Sequence, residues 1–194
     1  MLSTLKDEAT PIIVLAAGAS TRLGQSKQQL LFRGVPLLEH TVTQAHATGH
    51  PVCVVLGSNA AQHKALIKSK DITTLVDSDW KLGMGHTLKF GLQHLLNSHP
   101  NLKAIIISVC DQPFITAQIF QLLIAAKAPV AACKYNHGWG VPALFTKPYF
   151  NELLALTDSE GAKKVLLKHE ASAIKISFPA GDIDIDTPDD LANL

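Results

Sequence analysis

Two cations and two carboxylates stand where they would suit chemistry on phosphates. Arg22 and Lys27 lie in a glycine-marked stretch, Leu-Ala-Ala-Gly-Ala-Ser-Thr-Arg-Leu-Gly-Gln-Ser-Lys, over residues 15–27. Backbone N–H groups in a loop of this kind can approach phosphate oxygens while the two cations neutralise charge. Asp111 and Asp186 each follow a strand candidate, and Asp184 is a near neighbour of the second. A carboxylate at the end of a buried strand is costly unless it is solvated, hydrogen-bonded or bound to a cation. Mg2+ takes one or two carboxylates and fills its remaining positions with phosphate oxygens and water. Each feature also has a plainer reading: a strand-to-loop turn with two solvated cations, and aspartates in capping or turn roles.

Spacing narrows the chemistry. No Gly-Lys-Ser/Thr follows Gly24, and Ser26 precedes the lysine, so the loop is not a Walker A sequence. Gly18-Ala19-Ser20 lacks the second glycine of the dinucleotide fingerprint, which weakens a nicotinamide-dependent oxidoreductase reading. The histidines form no His-x-x-x-His pair with a third ligand. His40, His46 and His50 fall on or near one predicted helix, and His86 and His137 in glycine-rich loops suit surface positions.

A chain of 194 residues with 47% hydrophobic content can bury one substantial core, and one domain over residues 1–194 is expected. The formal net charge of +1 suggests neither nucleic acid nor an acidic membrane surface as partner. Cys53, Cys110 and Cys133 are widely spaced in or beside apolar runs, as buried reduced thiols of a cytoplasmic protein would be. Residues 1–10 carry charges and no apolar core, and no apolar run is long enough to span a bilayer, so a soluble protein without a secretory signal is expected.

Positioning these residues requires alternating strands and helices. Ile12-Ile13-Val14, Val52-Cys53-Val54-Val55-Leu56, Thr73-Thr74-Leu75-Val76 and Ala104-Ile105-Ile106-Ile107-Ser108-Val109 read as strands, as does the run from Pro129 to Cys133. Short extended pieces are expected at Leu30-Leu31-Phe32, Ile174 to Phe178 and Ile183 to Ile185. Pro36 suits a first helical turn, before Leu38, Thr41, Val42 and Ala45 at helical spacing, with Gly49 as the stop. Asn59 and Thr116 read as helix caps, and further helices are expected through Leu88, Leu92, Leu95 and Leu96, from Pro148 to Leu156 and from Gly161 to His169. Thr187-Pro188-Asp189-Asp190 reads as another helix start. The segment from Tyr135 to Pro142, rich in glycine and aromatics, reads as a loop around His137. The pattern predicts a three-layer α/β/α domain on a mostly parallel sheet, whose ligands bind at the carboxyl ends of the strands. Gly18, Asp111 and Asp186 all fall at such ends.

The loop Leu-Ala-Ala-Gly-x-Ser-x-Arg-x-Gly-x-x-Lys resembles the signature of nucleotidyltransferases with a glycosyltransferase-A-like, Rossmann-like fold. Within these it is most similar to molybdenum cofactor cytidylyltransferases and their molybdopterin-guanine relatives. Other matching segments spread the likeness over nearly the whole chain: Trp80-Lys81-Leu82-Gly83-Met84, Asp111-Gln112-Pro113, Gly140-Val141-Pro142-Ala143 and residues 184–191. Asp158-Ser159-Glu160-Gly161-Ala162-Lys163 departs from the family's Gly-Asp-x-Gly-Ala, which bears on the acceptor rather than on the reaction class.

The resemblance implies nucleotidyl transfer, in which a phosphate monoester attacks the α-phosphorus of a nucleoside triphosphate and pyrophosphate leaves. It assigns Leu15, Ala16, Ala17, Gly18, Ser20, Arg22, Lys27 and Gly85 to the nucleotide, with Lys27, Arg22 and Asp111 catalytic. It assigns Asp111 and Asp186 to Mg2+, and Gly140, Pro142 and Ala143 to the acceptor. Asp186 is preferred to Asp184, since Ile185 between them would turn the two to opposite sides of a strand. CTP and molybdopterin are the implied substrates and a molybdenum hydroxylase the implied receiver of the product. Ala17, where guanylyl-transferring relatives usually carry glycine, suits the smaller pyrimidine. The same chemistry on a sugar or polyol phosphate, and a non-catalytic cofactor carrier of the same fold, remain the alternatives.

Overall fold

The computed structural model describes residues 9–20 and 24–183. Strand β1 (Ile12–Ala16) lies at its centre, with every residue buried. It pairs in parallel with β4 (Val52–Leu56) on one side and β6 (Ala104–Val109) on the other. A strand bonded and covered on all sides must be apolar at successive positions, which is why these runs show no alternation. β5 (Thr73–Val76) extends the sheet beyond β4. Beyond β6 come β8 (Gly138–Thr146), β7 (Val130–Tyr135) and β9 (Ile174–Ser177), giving the order β5-β4-β1-β6-β8-β7-β9. Among these seven strands β8 alone runs against the others. A two-stranded hairpin of β2 (Leu31–Phe32) and β3 (Val35–Pro36) stands apart.

The period of two along β1 divides the core between the two faces. Ile13 and Leu15 pack with α3 (Met84–Ser98), α5 (Phe150–Leu154) and α6 (Lys163–Lys168). Ile12, Val14 and Ala16 pack with α1 (Leu37–His46), α2 (Ala60–Leu66) and α4 (Ala117–Ala125). The three-layer α/β/α expectation on a mostly parallel sheet is borne out. None of the described helices is long and apolar enough to cross a membrane. All three cysteines are free and buried, and burial pushes the thiols of Cys53 and Cys133 up to about 12.

Several local expectations are corrected. Pro36 closes β3 opposite Leu31 rather than opening a helical turn. Asn59 precedes α2 but sits at φ +50° with no side-chain cap bond. Thr116 precedes α4 in extended conformation, also without a side-chain cap bond; Gln44 of α1 accepts instead from the Ala117 N–H at 3.0 Å. The connection expected at residues 135–142 is the turn and much of the second strand of a β7–β8 hairpin. There Val141 and Pro142 are looped out of register between the pairs Ala132–Ala143 and Cys133–Gly140, where a proline does not interrupt the ladder. The helix expected from Pro148 is α5, preceded by a 3-10 turn over Lys147–Tyr149, and the one expected from Gly161 is α6. The strand expected at Ile183 to Ile185 and the helix start at Thr187 lie outside the described residues, Ile183 aside.

Gly91 sets how closely α3 approaches the sheet. A Cβ there would stand 2.8 Å from Val55 Cγ2 and 3.3 Å from Ile13 Cγ2. Alanine would gain about 1 kcal/mol of helix propensity, but overpacking a buried contact costs roughly 1–3 kcal/mol. Packing should win: Gly91→Ala is expected to lower the urea midpoint with an unchanged m-value, and a raised midpoint would show that the helix can shift freely.

Candidate active site

In strand order, the chain leaves β1 for β4 and β5 on one side, then returns to β6 on the other. Loops following adjacent strands therefore diverge between the carboxyl ends of β1 and β6, which opens a crevice at the topological switch point. Its volume is about 420 Å3, within the range of small-molecule sites. Leu15, Ala16, Ala17, Gly18, Ser20 and Lys27 from the first loop line it, together with Asp111 from the β6 end.

Lys27 Nζ stands 3.1 Å from Asp111 Oδ2, with side chains 17% and 26% exposed. Each is a counter-charge to the other in a partly desolvated place, and both remain reachable from the crevice. The Lys27 N–H donates to Ser20 Oγ at 3.0 Å, and Ser20 holds φ +52°. The neighbouring Gln28 is 2% exposed, and its Nε2 donates at 2.9 Å to the carbonyls of both Ala16 and Gly18. Ser26 Oγ donates to Gln28 Oε1 at 2.7 Å and lies 2.6 Å from His63 Nε2. Burial lowers the His63 pKa, which favours the neutral ring. Arg22 and Asp186 lie outside the described residues.

The opposite wall is formed by Trp80, Lys81, Gly83, Met84 and Thr87. Gly57 lets it close on the first loop: a Cβ there would lie 2.6 Å from Trp80 Cβ and 2.8 Å from Ala17 Cβ. Ala17 is accordingly only 5% exposed. Buried Asp77, after β5, accepts from the Asp79 N–H at 3.0 Å and from Thr87 Oγ1 at 3.1 Å, with His86 Nε2 at 3.3 Å. Gly85 is the second residue of α3, and a Cβ on it would meet the Thr157 and Glu160 carbonyl oxygens at 2.1 and 2.6 Å. Its N–H donates to the Asp158 carbonyl at 2.8 Å, so its smallness serves the docking of residues 157–160 over the start of the helix.

The acceptor-side residues of the sequence reading are near the β7–β8 bulge. Ala143 is fully buried and paired with Ile107 and Ala132. Gly140 leaves room for Tyr135, whose hydroxyl would stand 3.0 Å from a Cβ there. Gln112 draws this region toward Asp111: its Nε2 lies 3.1 Å from the Val141 carbonyl and from Tyr135 Oη, and 2.7 Å from the Gly181 carbonyl. Tyr135 itself donates to the Val141 carbonyl.

The spacing of residue types did not reveal Gln28, Ser26, His63 or Asp77 as supports of the crevice. Their partners are backbone carbonyls or distant side chains, and no local pattern encodes those. His40 packs edge-on to Phe32 at 5.3 Å, and His137 is exposed, the surface position expected for it. Cys110 lines the crevice, but burial raises its pKa and keeps the thiol neutral and poorly nucleophilic.

The architecture and crevice are those of a nucleotide-binding α/β enzyme. Residues 12–173 match the MobA-like NTP transferase domain, and the chain belongs to that family. It is a nucleotidyltransferase. The chain is 24% identical to the molybdenum cofactor cytidylyltransferase of Escherichia coli (strain K12) over 94% of its own length and 93% of that protein's. It is 31% identical to nicotine blue oxidoreductase of Paenarthrobacter nicotinovorans, over 60% of this chain and 56% of that one. Among solved structures, Rv0371c of Mycobacterium tuberculosis H37Rv in complex with manganese superposes with a TM-score of 0.76 at 26% identity, covering 96% and 97% of the two chains.

Lys89 Nζ lies 2.8 Å from Asp158 Oδ1, and this bond holds the Asp158 carboxyl below its ordinary pKa. The tie is therefore present above the ordinary carboxyl range and lost as pH falls through the depressed value. Carboxyl 13C titration should show Asp158 below its ordinary value, and Lys89→Met should move it upward. An unchanged titration would remove Lys89 as the cause.

Proposed function

We propose that the protein transfers CMP from CTP to the phosphate of a molybdopterin-type acceptor, releasing pyrophosphate, in an Mg2+-dependent reaction. The observation that carries this reading is the Lys27–Asp111 pair at the mouth of the switch-point crevice, beside a loop able to offer backbone N–H groups. A phosphate monoester is already an anion at neutral pH, so the reaction needs alignment and charge neutralisation rather than a deprotonated side chain. The acceptor oxygen bonds to the α-phosphorus as its bond to the bridging oxygen breaks, and the pyrophosphate leaves with that electron pair. Lys27 meets the charge that grows on the transferring group, while Arg22 and the N–H groups of the loop after β1 hold the β- and γ-phosphates.

The hard, partly exposed oxygens of Asp111 suit a divalent cation whose other ligands are phosphate oxygens and water, and Asp186 would complete the carboxylate set. When bound, Mg2+ supplies charge neutralisation and holds the triphosphate in line. The β7–β8 bulge would bound the acceptor side, with Gly140, Pro142 and Ala143 buried behind its surface rather than touching the acceptor. We take residues 1–194 as one domain acting in the cytoplasm, consistent with the free thiols. A molybdenum hydroxylase as receiver of the product forms no part of the reading, because it rests on no surface of the described residues.

A second reading has one observation behind it, the likeness to an oxidoreductase. Oxidation of reduced nicotinamide dinucleotide without pyrophosphate release would favour it. Pyrophosphate release with Mg2+, CTP and a molybdopterin acceptor would favour nucleotidyl transfer, and release only with a sugar or polyol phosphate would move the acceptor assignment there.

Asp111→Asn and Asp186→Asn should each fold and lower turnover by more than about 100-fold, the order expected on losing one strong electrostatic stabiliser. Near-native rates in both at saturating Mg2+ would sink the metal assignment. Lys27→Met should lower kcat more than it weakens CTP binding; poor binding with an intact maximal rate would make Lys27 an anchor.

Ala17 and Trp80 close the base side of the crevice, so CTP is expected to have a higher kcat/KM than GTP. Ala17→Gly should narrow the ratio, one methyl being worth roughly 1–3 kcal/mol in a tight pocket. A native preference for GTP would overturn the cytidylyl assignment.

A further inference from the structure

The loop after β1 approaches phosphates without the second glycine that dinucleotide-binding turns use, so something else must keep its carbonyl oxygens from facing an anion. Three successive carbonyls are engaged by donors of the chain itself. Ala16 O and Gly18 O each accept from Gln28 Nε2 at 2.9 Å, and Ala17 O accepts from the Ser58 N–H at 3.0 Å. In a trans peptide the C=O and the following N–H point to opposite sides. Fixing the carbonyls of residues 16 and 18 therefore fixes the N–H groups of Ala17 and Ala19, which point the opposite way within the same peptide planes.

The clamp is itself held. With both Nε2 hydrogens committed, the Gln28 amide cannot turn over without setting its oxygen against two carbonyls. Ser26 donates to Gln28 Oε1, which leaves the hydroxyl oxygen to accept from His63 Nε2–H. The chain runs from α2 through Ser26 to Gln28 and ends on the loop backbone. Gln28 is nearly fully buried, so its amide is a costly group to place here unless all its hydrogen-bonding capacity is used.

We propose that Gln28 is a positioning residue for triphosphate binding: it holds the Ala16 and Gly18 carbonyl oxygens aside, so that the loop presents N–H dipoles to the phosphates. This rests on the nucleotidyl-transfer reading. Gln28 acts on the phosphate subsite and not on the base. Methionine fills a similar volume but donates nothing, so it separates hydrogen bonding from packing.

Isothermal titration with Mg2+–CTP and with inorganic tripolyphosphate, on the native chain and on Gln28→Met, tests the proposal. The variant should bind both ligands about ten-fold or more weakly, while it stays folded at the assay temperature and its KM for the acceptor is unchanged. A merely structural role would lower kcat through a smaller folded fraction and leave the dissociation constants of the folded protein unchanged. Should Gln28→Met fail to fold, Ser26→Ala, which frees Gln28 Oε1, should weaken tripolyphosphate in the same direction by a smaller factor. Native-like binding of both ligands in a folded variant overturns the clamp and leaves the nucleotidyl-transfer reading standing. Failure of the native chain to bind either ligand overturns both.

Discussion

The parallel pairing of β1 with β6 is the constraint on which the rest depends. Residues Ile12 to Leu15 lie in register with Ile106 to Val109, so both strands end at the same level. Their following loops must separate, because the chain leaves β1 for β4 and comes back to the far side only after β5. The crevice is a consequence of that crossing order. Its two charged walls, Lys27 and Asp111, are 84 residues apart in the chain and meet only because this register brings them together.

Burial then decides which side chains are available for chemistry. The central strands β1, β4 and β6 are covered on both faces, so they carry no charged residue to the site. The charged residues of the crevice accordingly come from the loops just beyond the strand ends, where solvent and ligand can reach them. The buried polar groups around them are structural. Asp77 gathers the Asp79 N–H, the Thr87 hydroxyl and His86, and Gln112 gathers the bulge and the 3-10 turn over Pro179–Asp182. Both sit near strand ends, where Asp77 accepts through both carboxylate oxygens and Gln112 is engaged through its amide nitrogen, and these bonds stiffen the crevice walls.

Glycines mark where backbones must approach. Gly57 lets Trp80 close on Ala17, and Gly85 admits residues 157–160 against the start of α3. The second contact changes how the Trp-x-x-Gly-Met segment is understood. The N–H groups of Gly85 and His86 both point to the Asp158 carbonyl, so the start of this helix is satisfied by the protein itself.

The apolar runs by themselves determined the strands β1, β4, β5 and β6 and the helices α1, α3 and α4, because period and composition are local properties. The loop over residues 15–27 and Asp111 were legible for the same reason: residue type at a strand end limits what can sit there. Tertiary structure decided what has no local signal. The turn and the start of the second strand of the β7–β8 hairpin have no local signal, because their glycines and aromatics look like a loop until the ladder pairs them. Asn59 and Thr116 look like caps, yet the backbone conformation at Asn59 and the reach of Gln44 from another helix settle those helix starts differently. Gln28 carries no charge and no motif of its own, and its role exists only because folding sets its amide between two carbonyls ten and twelve residues earlier in the chain. Hydrogen-bond partners of buried polar groups are chosen by the packed fold, and a linear pattern cannot name them.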